Sequence, residues 1–269
     1  MKSNQQDPTD QLVVISGASS GIGAAAACEF AKHHMQVVLL ARREDRLNEV
    51  AKDIRSNGGR THVIPVDLSI EAERERVCEE IKAKYGTPAV LINNAGFAWY
   101  GFYHEMPWET AREEVMINVI ATLHLTRLFL PGMLASKRGA IINVGSIVGQ
   151  FPNQGIAIYS GTKAFLDAFT TVLHRETQRS GVHVSVIRPG PVSTELFDMS
   201  ESLPGSRRLP SERFAVTSEA VARRIWRLYQ KPRKVVYYPW YTGFSPWIEL
   251  LFGWLIDRLG PLLLIVKRR

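Results

Sequence analysis

The chain has 269 residues, 45% of them hydrophobic and 22% charged, which is the composition of an ordinary globular protein with room for a sizeable core. Its formal net charge is +7, but Lys and Arg are spread along the chain and their one dense cluster, residues 267–269, lies beside an apolar tail, so nucleic-acid binding is not expected. Cys28 and Cys78 have no CxxC spacing and no histidine cluster, so neither a disulfide framework nor a metal site is expected, and a reducing, cytoplasmic location fits best.

Short runs rich in β-branched residues alternate with longer amphipathic segments along most of the chain. The polar N-terminus, 1–11, lacks the apolar stretch of a secretory signal. Seven strands are then predicted, at 12–16, 37–40, 62–66, 90–92, 140–144, 182–187 and 235–238. Six helices are predicted between them, at 21–33, 44–57, 71–85, 108–130, 159–179 and 218–230. The alternation, and strands that are almost continuously hydrophobic, predict an α/β fold with a single doubly wound parallel sheet and helices on both faces.

A glycine-rich turn joins the first strand to the first helix. Its glycines are Gly17, Gly21 and Gly23, with Ser19, Ser20 and Ile22 between them. Glycines allow backbone amides and a helix N-terminus to approach a pyrophosphate closely. The spacing differs from the GxGxxG fingerprint, and a tight strand-to-helix turn is the alternative. Its position directly after the first strand favours a dinucleotide site.

The end of the second strand carries Arg42 and Arg43 where an NAD-binding protein would carry an acidic residue. Arginine presents a planar fork of donors that suits phosphate. The pair therefore predicts contacts with the 2′-phosphate of NADP, with Arg42 as the main residue and Arg43 in support. The alternative is that both arginines are solvated residues at the start of a helix.

The ends of the third and fourth strands also carry candidate cofactor contacts. Asp67 and Leu68 follow the third strand, and Asn93, Asn94, Ala95 and Gly96 follow the fourth. Ligands bind at the carboxyl ends of strands in open α/β sheets. Asp67 could hold an adenine amino group or cap the following helix, and Asn93 is expected both to satisfy loop backbone groups and to line the cofactor.

Tyr159 and Lys163 lie four residues apart at the start of the helix predicted at 159–179. At this spacing both side chains share one helix face. A lysine beside a tyrosine stabilises phenolate, so the pKa of Tyr159 is expected below its ordinary value of roughly 10. The pair predicts an acid/base catalyst, and an amphipathic surface pair is the alternative.

Together these residues and their order resemble the short-chain dehydrogenase/reductase family. The match spans 12–238 and comprises Gly17-x-x-x-Gly21-x-Gly23, Asn93-Asn94-Ala95-Gly96, Asn118, Ser146, Tyr159-x-x-x-Lys163 and Pro189-Gly190-x-Val192-x-Thr194. Two positions depart from the family, with Ser16 where Thr is frequent and Gly161 where Ala is more frequent. The resemblance implies a Rossmann-type catalytic domain at 1–238, followed by a tail at 239–269.

The resemblance also implies a role for each of these residues. Tyr159 would give a proton to a carbonyl while a hydride arrives from the cofactor, or would act in reverse. Lys163 would bind the nicotinamide ribose, Ser146 would hold the substrate oxygen, and Asn118 would anchor a water that passes protons to Lys163. The nicotinamide amide would be received by Pro189, Gly190, Val192 and Thr194.

These roles predict an NADP(H)-dependent oxidoreductase that interconverts a carbonyl and an alcohol. A non-catalytic dinucleotide-binding sensor or scaffold of the same fold is the alternative. Side chains flanking the catalytic stretches predict a bulky apolar substrate, such as a steroid, fatty acyl chain, retinoid or polyketide; they are Phe97, Trp99, Tyr100, Phe151, Gln154 and Phe197. The loop at 191–211, rich in Pro, Gly, Ser and Arg, is expected to be a mobile substrate loop or a plain surface excursion.

The tail is apolar and aromatic but is interrupted by Glu249, Asp257 and Arg258. No uninterrupted stretch reaches the ~18 apolar residues of a transmembrane helix. The tail is therefore expected either to lie on a membrane surface, with residues 267–269 facing anionic lipid, or to pack on its own domain or a dimer mate. The resemblance further implies a homodimer or homotetramer formed through the helices at 108–130 and 159–179.

Overall fold

The computed structural model describes residues 11–195, 200–207 and 215–263, with side chains through residue 258. Nine strands are described: β1 (Leu12–Ser16), β2 (Gln36–Ala41), β3 (Arg60–Pro65), β4 (Val90–Asn93), β5 (Gly139–Val144), β6 (Val182–Pro189), β7 (Val192–Ser193), β8 (Val216–Thr217) and β9 (Val235–Tyr238). Eight α-helices accompany them: α1 (Gly21–Lys32), α2 (Glu44–Ser56), α3 (Glu71–Tyr85), α4 (Trp108–Val115), α5 (Thr122–Ala135), α6 (Ala157–Glu176), α7 (Ser218–Gln230) and α8 (Ser245–Leu263). A π-helical segment, Met116–Ala121, connects α4 to α5.

Seven strands form one parallel sheet in the order β3-β2-β1-β4-β5-β6-β9. The order reverses direction between β1 and β4, which places a crevice at their carboxyl ends. The predicted doubly wound sheet is therefore confirmed, and all seven strands and six helices predicted from the sequence are present with shifts of a few residues at some ends.

Successive residues of each strand face opposite sides of the sheet, so the core has two layers. Val13 and Ile15 of β1 belong to the layer covered by α1, α2 and α7, whereas Leu12 and Val14 belong to the layer covered by α3, α5 and α6. Val13, Val14 and Ile15 are fully buried. Coverage of both faces explains why the strands are almost continuously hydrophobic.

The sequence patterns missed three features of the secondary structure, namely a small two-stranded sheet, a π-helical turn and the last described helix. β7 and β8 pair with each other in a separate two-stranded sheet, within or beside the predicted loop 191–211. The predicted helix 108–130 is continuous from Trp108 to Ala135 but contains the π-helical turn around Asn118. The third missed feature is helix α8, which the sequence pattern did not predict because its apolar residues do not follow one face of a helix.

The continuous helix Trp108–Ala135 is long and apolar enough to cross a membrane by length and composition. Its inner face, however, includes Leu125, Phe129 and Met133, which are buried against the sheet. It is therefore a core helix of this domain.

Candidate active site

A cleft opens at the carboxyl ends of β1, β2 and β4. Its lining includes most of the predicted cofactor residues, namely Gly17, Ser19, Ser20, Gly21, Ile22, Arg42, Arg43, Leu68, Asn94, Ala95, Gly96 and Thr194. Four apolar residues complete it: Ala41, Val66, Phe97 and Ile117. Phe97 had been predicted as a substrate contact, and the other three carried no sequence signal beyond hydrophobicity.

The glycine-rich turn is held in place by Asn94. Its Nδ2 donates to the carbonyl oxygens of Ser16 at 3.1 Å and Gly17 at 3.0 Å. Gly17 and Gly21 have φ angles of +67° and +55°, which favour glycine. Gly23 lies in the same turn but outside the described cleft lining, and a Cβ there would stand 2.2 Å from the Gly17 oxygen. Gly23 therefore supports the turn through close packing.

Both arginines at the end of β2 border the cleft, in different surroundings. Nη2 of Arg43 donates to Oγ of Ser19 at 3.2 Å and of Ser20 at 3.0 Å, so it spans the glycine-rich turn. The same nitrogen pairs with Glu195 at 3.1 Å. Arg42 turns the other way and pairs with Glu113 at 3.1 Å. Arg43 is therefore the arginine that is fixed over the turn.

Asp67 and Asn93 are occupied by structural hydrogen bonds. Oδ1 of Asp67 accepts from the backbone nitrogen of Ser69 at 2.9 Å and from its Oγ at 2.7 Å, which closes the turn before α3. Nδ2 of Asn93 donates to Thr126 and Asn143. Neither residue lines the described cleft, whereas Leu68 and Asn94 do.

Tyr159 and Lys163 project from the first two turns of α6 toward the end of β5. Nζ of Lys163 donates to the carbonyl oxygen of Val144 at 2.9 Å and lies 5.4 Å from the centroid of the Tyr159 ring. Burial lowers the pKa of Lys163 to about 8, and the charges of Asp167 and Glu114 oppose that change. A Cβ on Gly96 would stand 3.8 Å from this Nζ, so the lysine reaches the wall of the cleft.

The expected depression of the Tyr159 pKa is not found. Burial raises this pKa, the nearby Glu114 carboxylate raises it further, and a hydrogen bond with Ser146 opposes both. Desolvation of the phenolate is the main cause of this rise, so the spacing to Lys163 does not by itself decide the pKa of Tyr159. Ser146 lies directly after β5, where its Oγ also accepts from the backbone nitrogen of Val148 at 3.3 Å.

Asn118 is fully buried in the π-helical turn, and it bridges two parts of the site. Its Oδ1 accepts from the backbone nitrogen of Phe97 at 3.0 Å, and its Nδ2 donates to the Phe97 oxygen at 2.9 Å and to Oγ1 of Thr162 at 3.2 Å. The segment after β4 is thereby tied to α6. Such π turns are frequent at functional sites.

Comparison with known proteins agrees with this geometry. The chain matches the family model described as short chain dehydrogenase over residues 11–203. It is 35% identical over 191 residues to the very-long-chain 3-oxoacyl-CoA reductase of Mus musculus, which covers 69% of this chain and 61% of that relative. It is 36% identical over 190 residues to an uncharacterized oxidoreductase of Staphylococcus saprophyticus, which covers 70% and 80%. The chain belongs to the short-chain dehydrogenase/reductase family.

A solved member of the short-chain dehydrogenase/reductase family has the same fold over almost the whole chain. The short-chain dehydrogenase from Sphingobium yanoikuyae in complex with NADPH has a TM-score of 0.79 and 28% identity, and the match covers 96% of this chain and 98% of that one. By contrast, the chain spans less than two thirds of the length of the mouse reductase.

The four residues predicted for the nicotinamide end of this short-chain dehydrogenase/reductase lie at the end of β6 and directly after it. Thr194 lines the cleft. Val192 belongs to the small β7–β8 sheet, and Pro189 pairs with Tyr238 at the sheet edge. Gly190 faces Thr242 and Pro239. Val192, Pro189 and Gly190 thus lie outside the described cleft lining, and Pro189 and Gly190 lie where the tail leaves the domain.

The predicted substrate residues are dispersed. Trp99 is buried, and its Nε1 donates to the carbonyl oxygen of Pro204 at 3.0 Å, so it anchors residues 204–207. Phe151 is half-buried and Gln154 is exposed. Phe197 lies outside the described residues. Tyr100 is buried against Gly155.

Two features of this short-chain dehydrogenase/reductase gave no sequence signal. The first is a buried ion pair between Asp167 Oδ1 and Arg188 Nε at 2.8 Å. Gln150 donates a hydrogen bond to the other carboxylate oxygen of Asp167, and the Arg188 guanidinium donates one to the hydroxyl of Tyr237. This network ties the Ser146 loop to α6, β6 and β9. The second is Glu114, which is fully buried and accepts a hydrogen bond from the backbone nitrogen of Trp99 at 3.3 Å.

Proposed function

We propose that the protein is an NADP(H)-dependent oxidoreductase that interconverts a carbonyl and an alcohol on a bulky apolar substrate. The observation that carries this proposal is the convergence of Ser146, Tyr159 and Lys163 beside a cleft that ends in Arg42 and Arg43. A non-catalytic sensor would need the cleft but not a phenol that shares a hydrogen bond with a serine and lies beside a lysine. Sphingobium yanoikuyae dehydrogenase, the structural relative described above, was solved with NADPH.

The residues of the cleft fit a phosphorylated dinucleotide. Gly17 has no room for a side chain, since a Cβ would stand 2.8 Å from the Cα of Ala95, and its positive φ turns the backbone toward α1. The N-terminus of α1 presents free amides to a pyrophosphate. Arg43, with Ser19 and Ser20, groups donors for a 2′-phosphate. When bound, the nicotinamide would supply or accept the hydride.

The residues of α6 and β5 supply the proton chemistry. The Tyr159 phenol, whose pKa is raised, is protonated at neutral pH and is therefore available to donate to a carbonyl oxygen in the direction of reduction. Ser146 already shares a hydrogen bond with that phenol, so both can hold one substrate oxygen. Lys163, close to the Tyr159 ring, holds a positive charge that favours the phenolate formed after transfer.

The substrate class rests on buried aromatic residues at the cleft, of which Phe97 is the described example. Of the apolar carbonyl classes compatible with the sequence, a fatty acyl chain has added support from the name of the mouse relative, a very-long-chain 3-oxoacyl-CoA reductase. The test is oxidation of NADPH, followed by absorbance, with 3-oxoacyl thioesters, steroid ketones and retinal. Tyr159→Phe should lower the rate by on the order of a hundredfold and leave NADPH binding intact. Equal rates in both proteins would remove the phenol from the mechanism.

We further propose that the tail holds the enzyme on anionic membrane surfaces. The apolar residues of α8 point outward: Trp247, Leu250, Leu251 and Trp254 are each at least 60% exposed, and Trp240 precedes them at 76%. A helix that packed on its own domain would bury this face. Aromatic side chains at an interface and the cations at 267–269 suit anionic lipid.

Flotation with vesicles of anionic and of neutral phospholipid tests this attachment. The chain truncated after Tyr238 should lose binding, and Trp247→Ser with Trp254→Ser should weaken it in the full chain. Each basic residue contributes roughly 1 kcal/mol near an anionic surface, so added salt should weaken binding in part. A full chain that stays in the soluble fraction with anionic vesicles at low salt would contradict the proposal.

A homodimer or homotetramer through α4, α5 and α6 is also proposed. Exposed apolar side chains on these helices, including Ile120, Phe165 and Val172, support it, because assembly would bury them. Light scattering of the full chain in detergent measures the mass of the assembly. The detergent suppresses association through the tail, so the measured mass reports the contact between the helices.

The free thiols of Cys28 and Cys78 are consistent with the predicted reducing cytoplasm.

A further inference from the structure

Glu114 is a buried carboxyl group for which the proposed chemistry gives no role. It lies in the last turn of α4, one turn before Asn118, and its exposed fraction is 0%. Its Oε2 accepts from the backbone nitrogen of Trp99, and within the described residues its Oε1 has no hydrogen-bond partner. A buried carboxyl oxygen without a partner is costly, so it calls for an explanation.

The surroundings of Glu114 belong to the catalytic site. Glu114 and Asn118 share one face of the helix and bind consecutive parts of the segment after β4, at Trp99 and at Phe97. Across from this face, α6 presents Tyr159 and Lys163, and both respond electrostatically to Glu114. Lys163 also faces Asp167, whose charge is compensated by Arg188. Glu114 is therefore the acidic group near Tyr159 that lacks such compensation.

We propose that Glu114 is a positioning residue of the active site, whose carboxyl group sets the charge of Lys163 and the protonation of Tyr159 while it holds the segment after β4. The inference rests on the proposed oxidoreductase function. Ionised Glu114 favours the ammonium of Lys163 and disfavours the phenolate of Tyr159, so it keeps both groups protonated as the pH rises. Protonated Glu114 exerts neither effect.

The direction of the pH dependence follows from the burial of Glu114. Burial raises its pKa to about 8, against the opposing effects of the Trp99 amide and the Lys163 charge. Below this pH the group is mostly neutral and resembles a glutamine. Above it, the carboxylate raises the pKa of Tyr159 and of Lys163, which extends reductase activity toward higher pH.

Glu114→Gln tests this role, because glutamine keeps an acceptor for Trp99 and cannot ionise. Below pH 7 the ratio of kcat/KM for reduction between the variant and the wild type should stay constant, and the decline at high pH should begin about one pH unit earlier in the variant, the size expected for loss of a nearby charge. Glu109→Gln, an exposed glutamate on the same helix, is the matched control and should leave the profile unchanged. Glu114→Leu should shift the decline in the same direction and serves if the glutamine variant does not fold.

A loss of activity that is the same at every pH would assign Glu114 to a structural role and overturn the proposal, as would an unchanged profile. Thermal unfolding provides a test that needs no turnover. Since the pKa is higher in the folded state, the wild type should lose stability relative to Glu114→Gln as the pH rises from about 4.5 to about 8. At about pH 8, where both Glu114 and Lys163 are partly charged, the gain in Tm from Glu114→Gln should be larger when Lys163 is replaced by Met. Additive effects of the two substitutions would contradict the coupling, whereas absence of turnover alone would contradict only the oxidoreductase function.

Discussion

Replacing Gly23 by alanine adds one methyl group to the glycine-rich turn, at the position with the least space for a side chain. The new Cβ would stand 2.2 Å from the carbonyl oxygen of Gly17 and 2.6 Å from Nδ2 of Asn94. Ordinary contact begins near 3.4 Å, so the Gly17 backbone must retreat by about 1 Å to relieve the repulsion. Asn94 cannot absorb the movement alone, because its amide is bonded to Ser16 and Gly17.

The expected cost has two parts. Overpacking of a buried site costs about 1–3 kcal/mol, which for a chain of this size lowers Tm by roughly 2–12 °C. The displaced turn would also lose amide contacts to the cofactor, and a loss of about 1.4 kcal/mol weakens binding tenfold. Differential scanning fluorimetry and titration of NADPH fluorescence measure the two effects separately.

Gly161→Ala is the matched control, since it adds the same methyl group to a helix. No atom lies within 4 Å of a Cβ at Gly161, and alanine is favoured over glycine in a helix by about 0.8–1 kcal/mol. Tm should therefore rise by roughly 2–4 °C. If Gly23→Ala bound NADPH within twofold of the wild type, or if both variants changed Tm in the same direction, the packing argument would be wrong.

Two further substitutions test the arginines and the buried ion pair. Arg43→Ala should weaken NADPH binding more than tenfold and spare NADH, because an Arg–phosphate contact contributes roughly 2 kcal/mol. Arg46 also pairs with Glu195 but does not line the cleft, so Arg46→Ala should leave the preference for NADPH intact in the same fluorescence titration. Equal losses of NADPH affinity in both variants would refute the assignment. Asp167→Asn should cost about 3 kcal/mol because it leaves Arg188 charged and buried, and an unchanged Tm would show that the pair is dispensable.

The sequence could predict the parts of the fold that depend on residues close together in the chain. Strand β1, the turn at Gly17 and helices α3 and α7 depend on hydrophobic period and on residues adjacent in the chain, and their predicted limits agree with the structure to within a residue. The order of these elements also predicted the sheet, because parallel crossovers have a restricted geometry. Tyr159 and Lys163 were recognisable for the same reason, since four residues in a helix bring two side chains together.

Tertiary structure alone decided what surrounds each of these groups. In the sequence, Glu113 and Glu114 are equivalent residues of a helix, yet Glu113 faces solvent and pairs with Arg42 while Glu114 is buried beside the catalytic residues. The raised pKa of Tyr159 follows first from desolvation of its own phenol and then from the charge of Glu114, and neither could be read from its spacing to Lys163.

The strands, the helices, the glycine turn and the chemical groups available for catalysis follow from the amino-acid sequence, because each depends on neighbours within a few residues along the chain. Packing between distant segments decided the pairing of Asp167 with Arg188 and the outward face of α8. The physical reason is that desolvation and charge compensation depend on every group within a few ångströms, and most of those groups are far away in the sequence.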